Sequence, residues 1–157
     1  MNVALNKNDF NINCVFYQNS IPNTVMEDAN FIRILYSNEL ITINGVFIKI
    51  NMKINNIEAF YNKYKCIFNV NDNTDTINAI KEIERQIIVN YPSNKTPVYK
   101  IREQLNSMSI KIFTESNVRK IPNEFILKIS GLWETPTEYG ITYKFTNINH
   151  QLQNTLG

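Results

Sequence analysis

The chain has one histidine, two cysteines and four glycines, and each scarcity excludes a class of chemistry. The single histidine, His150, stands in the polar tail that begins at Asn147 and reads as a solvated residue. Any Ser-His-Asp or Cys-His relay would have to use it, which removes the hydrolases built on an imidazole base. Cys14 and Cys66 lack the close paired spacing of a zinc site. Their neighbours Val15, Phe16, Ile67 and Phe68 are apolar, so both read as thiols packed like small hydrophobes. A disulfide between them is left open, but two cysteines do not make a secreted disulfide framework. Gly-x-x-x-x-Gly-Lys and Gly-x-Gly-x-x-Gly are both missing, and with them the usual phosphate cradles.

Carboxylate chemistry fares no better. No Asp-x-Lys or Glu-x-Lys occurs, the spacing that metal-dependent nucleases often place on one strand. Glu82 and Glu84 lie two apart on an expected helix, point away from each other and read as a solvated face. The expectation is a protein with no catalytic residues, no metal and no cofactor.

Long hydrophobic runs are also lacking. No segment approaches the roughly 20 apolar residues that span a bilayer, and the first residues, MNVALNKNDFNIN, show no signal-peptide core. The expected location is intracellular, in host cytoplasm or nucleus if the source is a virus, with no membrane partner. Net charge is +2, from 16 Lys+Arg against 14 Asp+Glu. That balance permits a nucleic-acid partner only if the positive side chains gather on one face.

What is present is ordinary globular composition, 43% hydrophobic and 19% charged, in a chain the size of one domain. We read 1–157 as a single domain with flexible ends at 1–11 and 147–157. Abundant Asn, Ile and Lys suggest an AT-rich coding genome. β-Branched and aromatic residues mark strands at Cys14–Gln18, Phe31–Tyr36, Leu40–Ile43, Val46–Lys53, Ser109–Thr114, Glu124–Ser130 and Tyr139–Thr146. Asn44-Gly45 predicts a type I′ hairpin between the third and fourth of these. Ile57–Tyr64 has a helical pattern that competes with a strand at Lys63–Val70, where the strand is favoured. Capping residues Asn73, Thr74 and Asp75 precede isoleucines at helical spacing and predict a helix to Asn90. A shorter helix is expected from Thr96-Pro97 to Asn106. Strands, then helices, then strands without βαβ alternation imply an α+β fold. It is expected to be mainly antiparallel, an OB-like barrel or curved sheet with one or two helices inserted around 74–106.

Alternation assigns faces. Val46, Ile48, Ile50 and Met52 form an apolar set that should face the core, leaving Phe47, Lys49 and Lys53 on the opposite face. The same logic collects Phe31 and Arg33, Lys63 and Lys65, and Lys144. Cations that follow phosphates and rings that stack bases are what sequence-tolerant single-strand binding requires. A half-exposed strand shows the same alternation with no ligand at all. Trp133, Tyr139 and Tyr143 read instead as core packing with a hydrogen-bonded polar edge. Two readings follow: single-stranded DNA or RNA bound by strand-borne lysines and aromatics, or a structural or protein–protein interaction domain. Exposed strand edges would also allow a homo-oligomer.

The run Ile126-Leu127-Lys128-Ile129-Ser130-Gly131-Leu132-Trp133-Glu134, followed by Tyr139-Gly140-Ile141-Thr142-Tyr143-Lys144-Phe145, resembles a motif of small, uncharacterised proteins of large nucleocytoplasmic DNA viruses and their relatives. Phe31-x-Arg33, Tyr36-Ser37, Asn44-Gly45, Pro97-x-Tyr99-Lys100 and Gln104-Leu105 extend the resemblance over residues 30–146. Such viruses encode single-stranded DNA-binding proteins with OB-like barrels, so the resemblance implies a DNA-replication or repair role and no catalytic residues. Phage-type members of that class end in an acidic, aromatic tail, whereas Asn147–Gly157 contains no Asp, Glu or aromatic residue.

Overall fold

The computed structural model describes residues 4–60, 63–113 and 122–147. The tail beyond Asn147, with His150, lies outside the described residues, as does Thr114. In chain order the elements are β1 (Leu5–Asn6), β2 (Val15–Tyr17), β3 (Ile21–Pro22), β4 (Asn30–Ser37), β5 (Thr42–Asn44), β6 (Val46–Asn51), β7 (Ile54–Phe60), β8 (Lys63–Phe68), α1 (Thr74–Asn90), β9 (Thr96–Val98), α2 (Lys100–Asn106), β10 (Ser109–Phe113), β11 (Glu124–Glu134) and β12 (Glu138–Asn147). The α+β class and the placement of both helices within 74–106 stand as expected.

The main path across the sheet is β1-β6-β11-β12-β10-β8-β7. β11 and β12 pair antiparallel from Phe125↔Asn147 to Glu134↔Tyr139. The other side of β11 is shared: β6 pairs with Glu124–Ile129 and β4 with Gly131–Glu134. The far side of β12 is shared likewise by β9 and β10, both parallel to it. With β1 parallel to β6 as well, the sheet is mixed rather than purely antiparallel. Among the described residues it does not close, since β1 and β7 end the path on opposite sides. The expected flexible segment 1–11 therefore contributes an edge strand at Leu5–Asn6.

The hairpin expected at Asn44-Gly45 is not there. β5 pairs with β4 and β6 pairs with β11, so the strands flanking Gly45 never pair with each other. Gly45, at φ +91°, bends one continuous run from the first partner to the second, and its N–H donates to Ile34 O at 2.8 Å. The actual turn is Asn38–Ile41, where the Asn38 carboxamide oxygen accepts from the N–H groups of Leu40 and Ile41. Local residue chemistry signalled positive φ correctly at Gly45 but not at Asn44, which stays in β5, and strand pairing decided what the bend was for.

Two further expectations change. The helical pattern of 57–64 yields to β7, which pairs with β8 through a register shift between Ile54 and Asn56. Thr96-Pro97 belongs to β9, and α2 starts at Lys100.

Both helices cover one face of the sheet. Ile77, Ile80, Ile83, Ile87 and Ile88 of α1 are buried with Ile48, Leu127, Ile141 and Phe145 of the strands. A fully buried isoleucine contributes roughly 1.5–3 kcal/mol, so this stripe holds α1 to the sheet. The phenolic groups of Tyr17 and Tyr139 donate to Ile87 O at 2.6 Å and Ile88 O at 3.2 Å, satisfying carbonyls at the helix end. Asn73 precedes α1 but does not cap it. Its side chain bonds both the N–H and the C=O of Lys53.

Glu84 overturns its reading as part of a solvated face. It is 1% exposed, and its carboxylate accepts from the N–H of Ile101 at 2.8 Å and of Arg102 at 2.9 Å. Those are orphan donors at the start of α2, so α1 caps its neighbour. Glu82 keeps the exposed role and binds Arg85 at 2.6 Å.

Candidate nucleic-acid interface

Cross-strand register determines which side chains share the second face, turned away from α1 and α2. Partners in a ladder point the same way. Phe47, Lys128 and Lys144 therefore form a row over β6, β11 and β12. Lys111 and Lys65 oppose each other across β10 and β8. The parallel register Ile112↔Phe145 sets Lys111 level with Lys144, one residue earlier on each strand. Lys128, Lys144, Lys111 and Lys65 thus stand side by side on neighbouring strands. Phe47 lies at one end of the row and Glu58, opposite Lys65 on β7, at the other. At a strand spacing of about 4.8 Å the four lysines span about 14 Å.

A second row runs alongside through Lys49, Ile126, Thr146, Phe113, Lys63 and Phe60. On the other flank Arg33 opposes Gly131, and Phe31 opposes Trp133. Arg33, Lys111 and Lys144 are exposed, as are Phe60 and Phe113, while Phe31, Phe47, Lys49, Lys63, Lys65 and Lys128 are half-buried. The central strand β11 buries residues of both faces, Ile126 as well as Phe125 and Leu127.

The charge arrangement is unfavourable by itself. Lys128–Lys144 and Lys65–Lys111 are like charges directly opposed across a ladder, which destabilises a sheet. Among the described residues no carboxylate comes within ion-pair distance of these four lysines. The acids of this face sit at its margins, where Glu124 pairs with Lys49 at 3.7 Å. Burial, followed by the charges of Lys144 and Arg33, pushes the Lys128 ammonium below the ordinary lysine range. A protein with a net charge of only +2 has gathered unpaired cations on one side.

Four rings of the face each carry a cation. Arg33 lies 6.0 Å from the Phe31 centroid, Lys128 5.6 Å from Phe47, and Lys63 4.9 Å from Phe113. Lys100 lies 4.8 Å from Trp133, whose ring packs so closely on Gly140 that an added Cβ would meet it at 2.8 Å. Such contacts contribute about 0.5–1 kcal/mol at exposed sites.

Phe31, Arg33, Phe47, Lys49, Lys63, Lys65 and Lys144, the residues expected from alternation, all lie on this face. Lys53 does not join them. β6 ends at Asn51, and the clamp by Asn73 holds Lys53 near the start of α1, with its ammonium 4.0 Å from Asp72. Sequence reasoning missed Lys128, Lys111, Phe113 and Phe60. Lys128 sits in Leu127-Lys128-Ile129 and Lys111 in Ile110-Lys111-Ile112, the same alternation that selected Lys49. Tyr139 and Tyr143 pack on the helix-covered face, and Tyr143 bonds Gln104. Trp133 is buried, but on the second face.

A concavity of about 560 Å³ opens at the start of α1, lined in part by Lys7, Lys53, Asp72, Asn73 and Asp75. Its polar groups engage one another: Lys7 with Thr76, Lys53 with Asp72, and Asn73 with Lys53. Among the described residues no group of three or more His, Cys, Asp or Glu side chains is arranged to hold a metal ion. Both thiols are free. No helix of the described residues is long and apolar enough to cross a membrane. No family model matches the chain, nor does any curated protein or solved structure.

Proposed function

We propose that the second face binds single-stranded nucleic acid without catalysis, in a replication or repair setting of the viral type implied by the sequence resemblance. The observation that carries this reading is the row Lys128, Lys144, Lys111 and Lys65, four ammonium groups with no carboxylate at ion-pair distance among the described residues, with Phe47 at one end and Glu58 at the other. A polyanion supplies the missing countercharge, and rings at the margins supply base stacking worth about 1–3 kcal/mol per base. The reading needs one accessible sheet face, which an open sheet and an OB-like barrel both provide.

Fluorescence anisotropy with labelled oligo-dT and a matched duplex, at low and moderate salt, tests it. Single strands should bind at micromolar affinity or better, more tightly than duplex, whose bases are stacked away from the rings. Affinity should fall with salt at a logarithmic slope of about −0.7 per phosphate neutralised. Lys128→Glu combined with Lys144→Glu should abolish binding. Absence of binding at low salt would reject the proposal.

A second reading rests on β7, whose outer edge has no strand partner among the described residues and which exposes Phe60. Pairing with another chain there would make the protein a structural or interaction module. A stable oligomer in sedimentation, with no oligonucleotide retained, would favour it.

A further inference from the structure

We infer, resting on the reading above, that this face selects a polymer carrying flat bases and discriminates against polyanions in general. The two ring–ammonium pairs Lys128–Phe47 and Lys63–Phe113 provide the device. Phe47 on β6 and Phe113 on β10 stand three strand spacings apart, about 14 Å across the sheet, and two residues apart along it, with Lys144 on the intervening strand β12 and Lys111 on β10 beside Phe113. Phe113 is 41% exposed, so a base can reach it with little rearrangement.

An arriving nucleotide exchanges one contact for two. Its base takes the place of the ammonium over the ring, and the displaced ammonium turns to the phosphate linked to that base. A stacked base stabilises more than an exposed cation over the same ring, so the exchange runs forward. A polyanion without bases draws the ammonium off the ring and leaves the ring bare, losing the first contact without replacing it. The resting cation–ring pairs therefore act as a filter against ligands that offer charge alone.

The test compares three probes on the full chain: oligo-dT, an abasic oligonucleotide of the same length and inorganic polyphosphate of matched charge. Oligo-dT should bind roughly tenfold or more tightly than the abasic strand, as one or two stacked bases require. Phe47→Leu with Phe113→Leu should erase that preference while abasic affinity rises a few-fold, since no ring then holds the ammonium groups back, and circular dichroism reports that the variant is folded. If the double variant loses abasic affinity too, Phe113→Leu alone, at the exposed position, carries the comparison. Equal binding of oligo-dT and abasic strand by the wild type would overturn the inference while leaving a charged single-strand site intact. A preference that survives loss of both rings would overturn it as well. Failure of all three probes to bind would instead sink the functional reading beneath it.

Discussion

Lys128 and Lys144 face each other directly across the β11–β12 ladder, with no acid to separate their charges. This is a local conflict inside the best-paired part of the sheet. Lys144→Glu should convert repulsion into attraction and stabilise the protein by about 0.2–1 kcal/mol, read from the urea midpoint. The same change should weaken oligonucleotide binding. A variant both more stable and unimpaired in binding would show that the pair serves no ligand.

The depressed pKa of Lys128 has its own consequence. A base whose folded pKa lies below its unfolded value binds fewer protons when folded, so stability should rise as pH climbs from the folded pKa toward 10.5. Bound polyanion should raise the Lys128 pKa again. Nitrogen NMR of the lysine ammonium groups, with and without oligonucleotide, reads both shifts.

Glu84 is raised above the ordinary carboxyl range because burial outweighs the two backbone N–H groups it accepts from. The folded state then holds the proton more tightly than the unfolded chain does. Its contribution to stability is largest below pH 4.5 and declines as pH rises through the folded pKa. Glu84→Gln should remove that decline, visible as a flatter difference in unfolding free energy between about pH 4 and pH 8. Glu84→Ala should cost about 1–3 kcal/mol, most at acid pH and less as pH rises through the folded pKa, because Ile101 and Arg102 lose their acceptor.

Gly45→Ala should destabilise by about 1–2 kcal/mol or more from backbone strain at φ +91° alone. A Cβ there would also meet Ile129 O at 2.8 Å, against backbone that cannot yield cheaply. Thermal unfolding of the variant checks this, and wild-type stability would place the chain's bend elsewhere.

Cys66 is fully buried, and burial pushes its thiol up to about 12. At pH 8 it should resist iodoacetamide until the protein unfolds, while half-buried Cys14 reacts sooner. Mass spectrometry of peptides after timed labelling distinguishes the two, and early modification of Cys66 would contradict the packing.

Much of this was legible before any coordinates. Alternation in Val46–Asn51 placed Ile48 and Ile50 inside and Phe47 and Lys49 on the opposite face, because successive side chains of a strand must diverge. The isoleucine spacing of 77–88 marked α1 and its buried stripe for the equivalent helical reason. Where an expectation failed, two local meanings competed. Asn44-Gly45 promises positive φ in a hairpin and in a bend alike, and only the partners of β5 and β6 choose between them. Glu84 looks solvated beside Glu82 until α2 brings two unsatisfied N–H groups against it.

The sequence by itself determined periods, faces and the scarcity of histidine and cysteine, since these are read from residue identity and spacing along the chain. Only the tertiary structure decided that Lys65, Lys111, Lys128 and Lys144 share one line, and that Lys53 does not. Residues up to 79 positions apart are set side by side by inter-strand hydrogen bonds whose order no local pattern specifies. Charge density on a sheet is a property of that order.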